Sequence, residues 1–192
     1  MIIRVELLSD ASFGSGKSVP GGEDSSILVD EQGFPYMKGS TIKGLIRENY
    51  QRYLGWTGIQ DAEKKVKDLF GYTDMSEDEH KKTVRISDIE LSDDVREAVS
   101  SHLEKMAGKH SPLEYMSYLR VLTKLEDGMV KDGSMRTIRC LRKGLIFYGT
   151  IDCPDSRSEE EIRQVLPFIK WIGGEKTRGL GEVSITELEA SA

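Results

Sequence analysis

The order of two hydrophobic periodicities constrains the fold of this chain more than any other feature of its sequence. Two segments place apolar residues three and four positions apart, as amphipathic helices do, and they begin near Ser40 and Ser158. Four segments alternate apolar and polar side chains, the pattern of half-buried strands: 2–9, 83–91, 145–151 and 183–188. The chain is therefore predicted to run strand, helix, strand, strand, helix, strand.

This order is that of an α+β domain with a ferredoxin-like (RRM-like) βαββαβ core. A length of 192 residues fits one such domain with elaborations. Two elaborations are predicted, a helical insertion and a protruding β-hairpin. The predicted boundaries are a core of 1–54, 83–91 and 143–190, an insertion of 55–82 and 92–116, and a hairpin of 118–139.

Capping signals predict where the two core helices begin and end. Ser40 or Thr41 is a candidate N-cap of the first helix, because short hydroxyl side chains accept hydrogen bonds from the first helical amides. Gly55 is its candidate end. Ser158 is expected to open the second core helix, and Gly173-Gly174 to close it.

The helical insertion is polar and charged. Residues 61–70 form a polar segment, 93–107 have the pattern of a charged amphipathic helix, and 108–116 are predicted to be a loop and turn. The three histidines of the chain fall here and are expected at the surface: His80, His102 and His110.

The distribution of charge is uneven. The formal net charge of −6 argues against nucleic-acid binding when taken alone. Phosphate contacts, however, depend on the local placement of cations. Acids concentrate between 74 and 94, whereas cations concentrate in 38–52 and 120–143. The charge pattern leaves nucleic-acid binding open and indicates where it would occur.

The sequence favours a cytoplasmic protein without a membrane contact. No stretch approaches the ~18 consecutive apolar residues of a membrane span. Arg4 and Glu6 interrupt the apolar N-terminus, which is unlike the apolar part of a signal peptide. Cys140 and Cys153 do not make a disulfide framework, so a reducing compartment is expected.

Four segments, taken together, carry a family resemblance. They are PYMKGSTIKGLIR at 35–47, LFG at 69–71 with VRISD at 84–88, GMVKDGSMR at 128–136, and GGEKTRGLG at 173–181. In this order they resemble signatures of the CRISPR-associated RAMP superfamily, and the segment at 128–136 is similar to its type III members. Lys38 stands where the family usually has proline. The chain most resembles the repeating backbone subunit of type III effector complexes.

The resemblance implies a function. Such a subunit binds guide (CRISPR) RNA, lies beside copies of itself and other RAMP subunits, and cleaves complementary single-stranded target RNA at regular intervals. An alternative is a non-catalytic RAMP subunit that bridges or caps the complex. A nuclease that processes guide precursors is disfavoured, because that role usually needs a His, Tyr or Lys acid–base set and the candidate loops contain no histidine.

The start of the first helix is one candidate RNA-binding site. Lys43 and Arg47 are four residues apart and therefore share a helix face. Ser40 and the amides of the first turn suit a phosphate. The alternative is a solvated helix face with ordinary capping.

The glycine-rich loop is a second candidate. Gly174 and Gly179 permit close backbone approach to a phosphate or sugar, and Lys176 and Arg178 add charge. The alternative is a helix C-cap followed by a turn into the last strand.

The hairpin is a third candidate, and the resemblance implies a thumb that folds over the guide–target duplex. Lys131 and Arg136 are its candidate RNA contacts, and three apolar residues near its tip are candidates to wedge between bases: Met129, Val130 and Met135. The alternative is a two-stranded extension packed on a neighbour or on its own core.

The resemblance also implies a catalytic residue. In the loop between the first strand and the first helix, GEDSSI at 22–27 resembles the family string that contains the cleaving aspartate, which gives Asp24. A single carboxylate there is expected to hold Mg²⁺ or a similar divalent cation, or to orient the RNA 2′-hydroxyl. The alternative is an Asx-turn residue.

Overall fold

The computed structural model describes residues 1–14, 26–72, 82–106, 110–123, 125–126, 129–130 and 135–188. The strands are β1 (Ile2–Leu7), β2 (Arg85–Ile86), β3 (Glu90–Leu91), β4 (Ser117–Leu122), β5 (Leu125–Glu126), β6 (Met129–Val130), β7 (Arg136–Leu141), β8 (Ile146–Asp152) and β9 (Val183–Leu188). The helices are α1 (Gly39–Trp56), α2 (Ala62–Phe70), α3 (Asp93–Lys105), α4 (Pro112–Met116) and α5 (Ser156–Val165). None of the helices in these ranges is both long and apolar enough to cross a membrane.

The main sheet has the order β2-β8-β1-β9, and β3 also pairs with β8. All of its pairings are antiparallel, with Ile3 opposite Gly149 on one side of β1 and opposite Glu187 on the other. The predicted α+β mixture of helices and strands is confirmed. The predicted single strand over 83–91 is wrong in detail, because it is interrupted between Ile86 and Ile89.

The core lies between this sheet and the two helices α1 and α5. Alternate residues of the strands are buried, and α1 adds an apolar stripe of Ile42, Ile46, Tyr50 and Leu54, each at most 1% exposed. Each fully buried side chain of this size stabilises the fold by about 1.5–3 kcal/mol. The Tyr50 hydroxyl donates a hydrogen bond to Glu161, which ties α1 to α5.

The N-terminus of α1 is capped from a distant part of the chain. Its N-cap residue is Lys38, which makes no side-chain capping bond, so the prediction of a Ser40 or Thr41 cap is wrong. The Gly39 amide instead donates to the Asp88 carboxylate at 2.8 Å. A Cβ on Gly39 would lie 2.2 Å from the Ile86 carbonyl oxygen, so only glycine permits this approach.

The helical insertion contains α2, α3 and α4, and α4 was not predicted. Residues 112–116 form α4, where a loop was expected, because Ser111 and Glu114 make a capping box with Pro112 in the first turn. Helix α3 ends at Lys105, close to its predicted end. His102 and His110 are exposed, as predicted, while His80 lies outside the described residues.

The second core helix is shorter than predicted. The Asp155 side chain caps it by accepting from the Ser158 amide at 2.8 Å, so α5 begins before Ser158. It ends at Val165 and continues as a 3-10 turn over Leu166–Phe168. Pro167 has no amide hydrogen to donate, which explains why the helix does not reach Gly173.

Strands β4 and β7 form an antiparallel ribbon over most of the predicted hairpin, with Leu119 opposite Arg139. One face of the ribbon packs Leu122, Ile138 and Cys140 against Leu180 of the glycine-rich segment. The other face exposes Leu119 and Val121, each by about half. The base of the ribbon is therefore attached to the core through the glycine-rich segment.

Candidate nucleic-acid interface

Both ends of the glycine-rich segment 173–181 are fixed to the chain that follows β1. The Gly174 amide donates to the Ser12 carbonyl at 2.8 Å, and the Gly181 amide donates to the Asp10 carbonyl at 2.8 Å. Gly173 and Gly181 have φ of +71° and +84°, and a Cβ on either would lie within 2.3 Å of a carbonyl oxygen. These two glycines, and the hydrogen bond of Gly174, have structural roles.

The tip of the segment is different, because it faces open space. Residues 176–178 form a single 3-10 turn that ends at Gly179, whose φ is +72° and around which no atom lies within 4 Å of a Cβ position. Lys176 and Arg178 are both exposed on this turn. The open space beside Gly179, flanked by two cations, is suited to contact with a phosphate or a ribose.

Glu175 joins the tip to the ribbon. Its carboxylate lies 3.3 Å from Nε of Arg178 and 3.0 Å from Nη2 of Arg136. Two of the predicted RNA contacts, one from the loop and one from the hairpin, are therefore brought together around one carboxylate. Glu175 was not predicted as a site residue. The only indication in the sequence is its position between two glycines and two cations.

The predicted site on α1 lies on another side of the molecule. Lys43 and Arg47 are neighbours, and partial burial together with the adjacent guanidinium lowers the pKa of Lys43. Ser40 is exposed in the first turn. Leu45 and Lys176 line one surface cleft. At 100° per residue, Lys43 and Arg47 lie about 160° around the axis of α1 from Leu45. The helix cations and Lys176 thus flank α1 from opposite sides.

A hydrogen-bonded group fixes the base of the ribbon beside the long first loop. The Tyr118 hydroxyl donates to the Asp10 carboxylate at 2.7 Å, and the Lys143 amide donates to the same carboxylate at 2.8 Å. The bond to Asp10 raises the pKa of Tyr118 to about 12. Gly14 pairs with Ile27, and Ser12, two residues before Gly14, accepts from the Gly174 amide.

The sequence as a whole matches a known family. The family model of the RAMP superfamily matches residues 4–184, which is nearly the full chain. The chain belongs to the RAMP superfamily. The resemblance seen in the four sequence segments is thereby confirmed.

Solved structures share the fold of this RAMP protein. One is a cryo-EM structure of the Type III-B Cmr-beta bound to cognate target RNA, with a TM-score of 0.65. Another is the apo state of Type III-B Cmr-beta, with a TM-score of 0.66. Each similarity covers 96% of this chain and 95% of the other, at 12% identity. No curated protein matches the chain.

Two predicted site residues of this RAMP protein lie outside the described residues: Asp24 and Lys131. The hairpin residues Met129 and Met135 are described and strongly exposed, at 73% and 68%. Within the described ranges, no group of three or more His, Cys, Asp or Glu side chains is arranged to hold a metal ion.

Proposed function

We propose that this RAMP protein is a guide-RNA-binding backbone subunit of a type III CRISPR interference complex. The observation that carries the proposal is the tip of the glycine-rich segment, where Arg136 and Arg178 meet at Glu175 beside the open space at Gly179. Two guanidiniums held by one carboxylate are preorganised for a phosphate, because less side-chain entropy is lost on binding. The likeness to Cmr-beta structures, one of them bound to target RNA, supports the same assignment.

The core is proposed to be ferredoxin-like. Its support is the order β2-β8-β1-β9, in which the first strand lies between the third and fourth strand segments and the second segment lies at an edge. One helix follows the first strand and another follows the third, as the βαββαβ order requires. The boundaries given above for one RAMP domain are part of this proposal, as is a cytoplasmic setting.

The ribbon is proposed to be a thumb that contacts the guide–target duplex. Leu119 and Val121 are exposed on the face opposite the apolar cluster at its base, and Met135 is exposed towards its tip. Apolar side chains that wedge between base steps deform a duplex. Head-to-tail contacts between copies of this chain do not need to close into a ring, so they suit assembly along a guide RNA.

Cleavage of the target is proposed to depend on Asp24. In this reaction the RNA 2′-hydroxyl attacks the adjacent phosphorus in line, the bond to the 5′-oxygen breaks, and a 2′,3′-cyclic phosphate remains. Asp24 would orient the attacking hydroxyl or hold a divalent cation such as Mg²⁺, which supplies charge stabilisation at the phosphate when bound. Support comes from the pairing of Gly14 with Ile27, which brings together two residues that flank the stretch containing Asp24, and from the bond of the Gly174 amide to the Ser12 carbonyl.

Two experiments test the proposal. Purification of the chain from cells with its associated proteins, followed by sequencing of bound RNA, should recover guide RNAs and other RAMP subunits. In the assembled complex, Asp24→Ala should abolish cutting of target RNA while guide and target binding stay intact, and removal of divalent cations should have the same effect. Glu31→Ala removes an exposed carboxylate after the same loop and is the control, which should leave cutting unchanged. Full cutting by the Asp24→Ala complex would favour a non-catalytic subunit that bridges or caps the complex.

A further inference from the structure

An open cleft of about 240 Å³ lies between α1 and the segment that follows α5. Its chemistry comes from two aromatic side chains and several polar ones: Phe168, Trp171, Arg52, Lys170, Lys176 and Asn49. Lys176 belongs to the tip of the glycine-rich segment, so the cleft is continuous with the proposed guide site. No other residue of the cleft was among the predicted RNA contacts.

The aromatic wall of the cleft is supported from behind. The ring of Phe168 stacks on Tyr53 with centroids 6.5 Å apart, and it meets the edge of Trp56 at 5.8 Å. Despite these contacts Phe168 is 45% exposed and Trp171 is 37% exposed. The backbone of Trp171 pairs with Glu182 at the start of the last strand. The Phe168 ring is therefore held by ring contacts, the Trp171 backbone is fixed by its pairing, and both side chains keep part of their area uncovered.

The charge of the cleft is opposite to that of the chain. It is lined by three cations and one acid, Glu48, whereas the whole chain carries a formal charge of −6. Glu48 is bound to Arg52 at 2.6 Å. Within the described part of the chain, neither Lys170 nor Lys176 takes part in an ion pair. Two lysines beside exposed aromatic rings are complementary to an anion that also has an apolar face.

We propose that this cleft binds one unstacked base of single-stranded RNA, with the base against Trp171 and its phosphate against Lys170 and Lys176. Aromatic rings beside cations are the common means of holding unpaired bases, because every base has a π-face and every nucleotide a phosphate. A protein partner would also cover the rings, but two lysines at the edge favour a phosphate. This inference rests on the proposed RNA-binding function and adds a base-stacking site to it.

The two tryptophans of the chain allow a direct test. Trp56→Phe leaves Trp171 as the sole tryptophan, and Trp171→Phe leaves Trp56, which is 70% exposed but does not line the cleft. Each full-length protein is titrated with a single-stranded RNA of mixed sequence and with an abasic RNA of the same length. Binding is followed by anisotropy of labelled RNA, and stacking by quenching of tryptophan fluorescence.

We expect RNA with bases to quench Trp171 strongly, abasic RNA to bind without quenching it, and Trp56 to be little affected by either. Trp171→Leu should weaken binding of the RNA by about 5- to 150-fold and leave binding of abasic RNA unchanged. RNA binding without quenching of Trp171 would overturn the stacking site and leave the proposed function intact. Absence of any RNA binding would overturn both. Self-association that light scattering shows to depend on Trp171 would assign the cleft to a protein contact instead.

Discussion

The Asp88 carboxylate accepts a hydrogen bond from the Gly39 amide at 2.8 Å, across 49 residues of sequence. This bond joins the turn between β2 and β3 to the first turn of α1. A negative charge at a helix N-terminus is favourable, because the unpaired amides there carry partial positive charge. The chain thus supplies its own anion at the start of α1, and the Gly39 amide is already occupied by it.

Asp88→Ala should lower the free energy of unfolding by about 1 kcal/mol, the usual effect of removing a helix cap. Asp88→Asn should lose less, because the amide oxygen still accepts from Gly39 while the charge is removed. Urea unfolding of the purified chain measures both. Ser92→Ala is the control, since Ser92 precedes α3 without making a capping bond. Equal losses for Asp88→Ala and Ser92→Ala would contradict the capping role.

Two glycines of the same loop should respond differently to alanine. Gly181→Ala places a Cβ 2.0 Å from the Ile172 carbonyl oxygen, and the φ of +84° adds backbone strain. The free energy of unfolding should therefore fall by about 2–5 kcal/mol. The Cβ of Gly179→Ala would meet no atom within 4 Å. Its free energy of unfolding should fall by only about 1–2 kcal/mol, because a φ of +72° is unfavourable for alanine. Thermal unfolding ranks the two variants. A reversed order would show that the tip, not the base, is the packed part of the loop.

Arg47→Ala should weaken RNA binding without weakening the fold. Lys43 and Arg47 repel each other at four-residue spacing, so removing one should leave the unfolding free energy unchanged or raise it by a few tenths of a kcal/mol. The slope of log K against log salt for single-stranded RNA should fall by about 0.7 if one phosphate contact is lost. Arg157→Ala removes a cation that is paired with Glu161 and should leave the slope unchanged. Equal slopes for wild type and Arg47→Ala would move the RNA site away from α1.

Replacing 124–134 by a two-residue turn should leave the core folded while weakening engagement of a guide–target duplex. The base of the ribbon remains, because Leu122, Ile138 and Cys140 pack on Leu180. Leu180→Ala is the contrasting variant and should lose about 2–5 kcal/mol, since its side chain is 1% exposed. Circular dichroism and duplex-binding titrations separate the two effects. Unfolding of the shortened chain would show that the tip is part of the core.

The bond between Tyr118 and Asp10 predicts a loss of stability in alkali. The pKa of Tyr118 is raised to about 12 in the folded chain, against about 10 for a free tyrosine. The folded state therefore holds this proton more tightly, so the contribution is complete below about pH 10 and is lost as the pH rises towards 12. The difference in unfolding free energy between wild type and Tyr118→Phe should be constant below pH 10 and shrink above it. A difference independent of pH would mean that the hydroxyl bond contributes nothing.

Periodicity predicted most of the elements, because alternating and helical patterns reflect which face is buried. Its failures have local causes. The strand at 83–91 divides because Asp88 turns towards Gly39, a contact with no signal nearby in the sequence. The second core helix ends early, at Val165, because Pro167 follows. The capping box of Ser111 and Glu114 has a clear sequence signature, which the prediction of a loop did not use.

The candidate site was predictable only in part. Glycines and cations indicated the loop at 173–181, but the sequence does not reveal that Gly173 and Gly181 serve packing while Gly179 is open. Trp171 falls within the predicted second core helix, between Ser158 and Gly173. It lines an open cleft instead, because the chain has left the helix six residues earlier, at Val165.

The contacts that hold the glycine-rich segment to the first loop are made by backbone atoms on both sides: the carbonyls of Asp10 and Ser12 and the amides of Gly174 and Gly181. Such contacts place few demands on side chains, apart from the absence of a Cβ at Gly173 and Gly181. Almost any residue can therefore replace Asp10 or Ser12 without breaking them. Backbone contacts of this kind are compatible with wide sequence divergence, such as the 12% identity at which this chain matches the fold of a solved structure over 96% of its length. Substitution can therefore change the side chains of Asp10 and Ser12 while these backbone contacts stay the same.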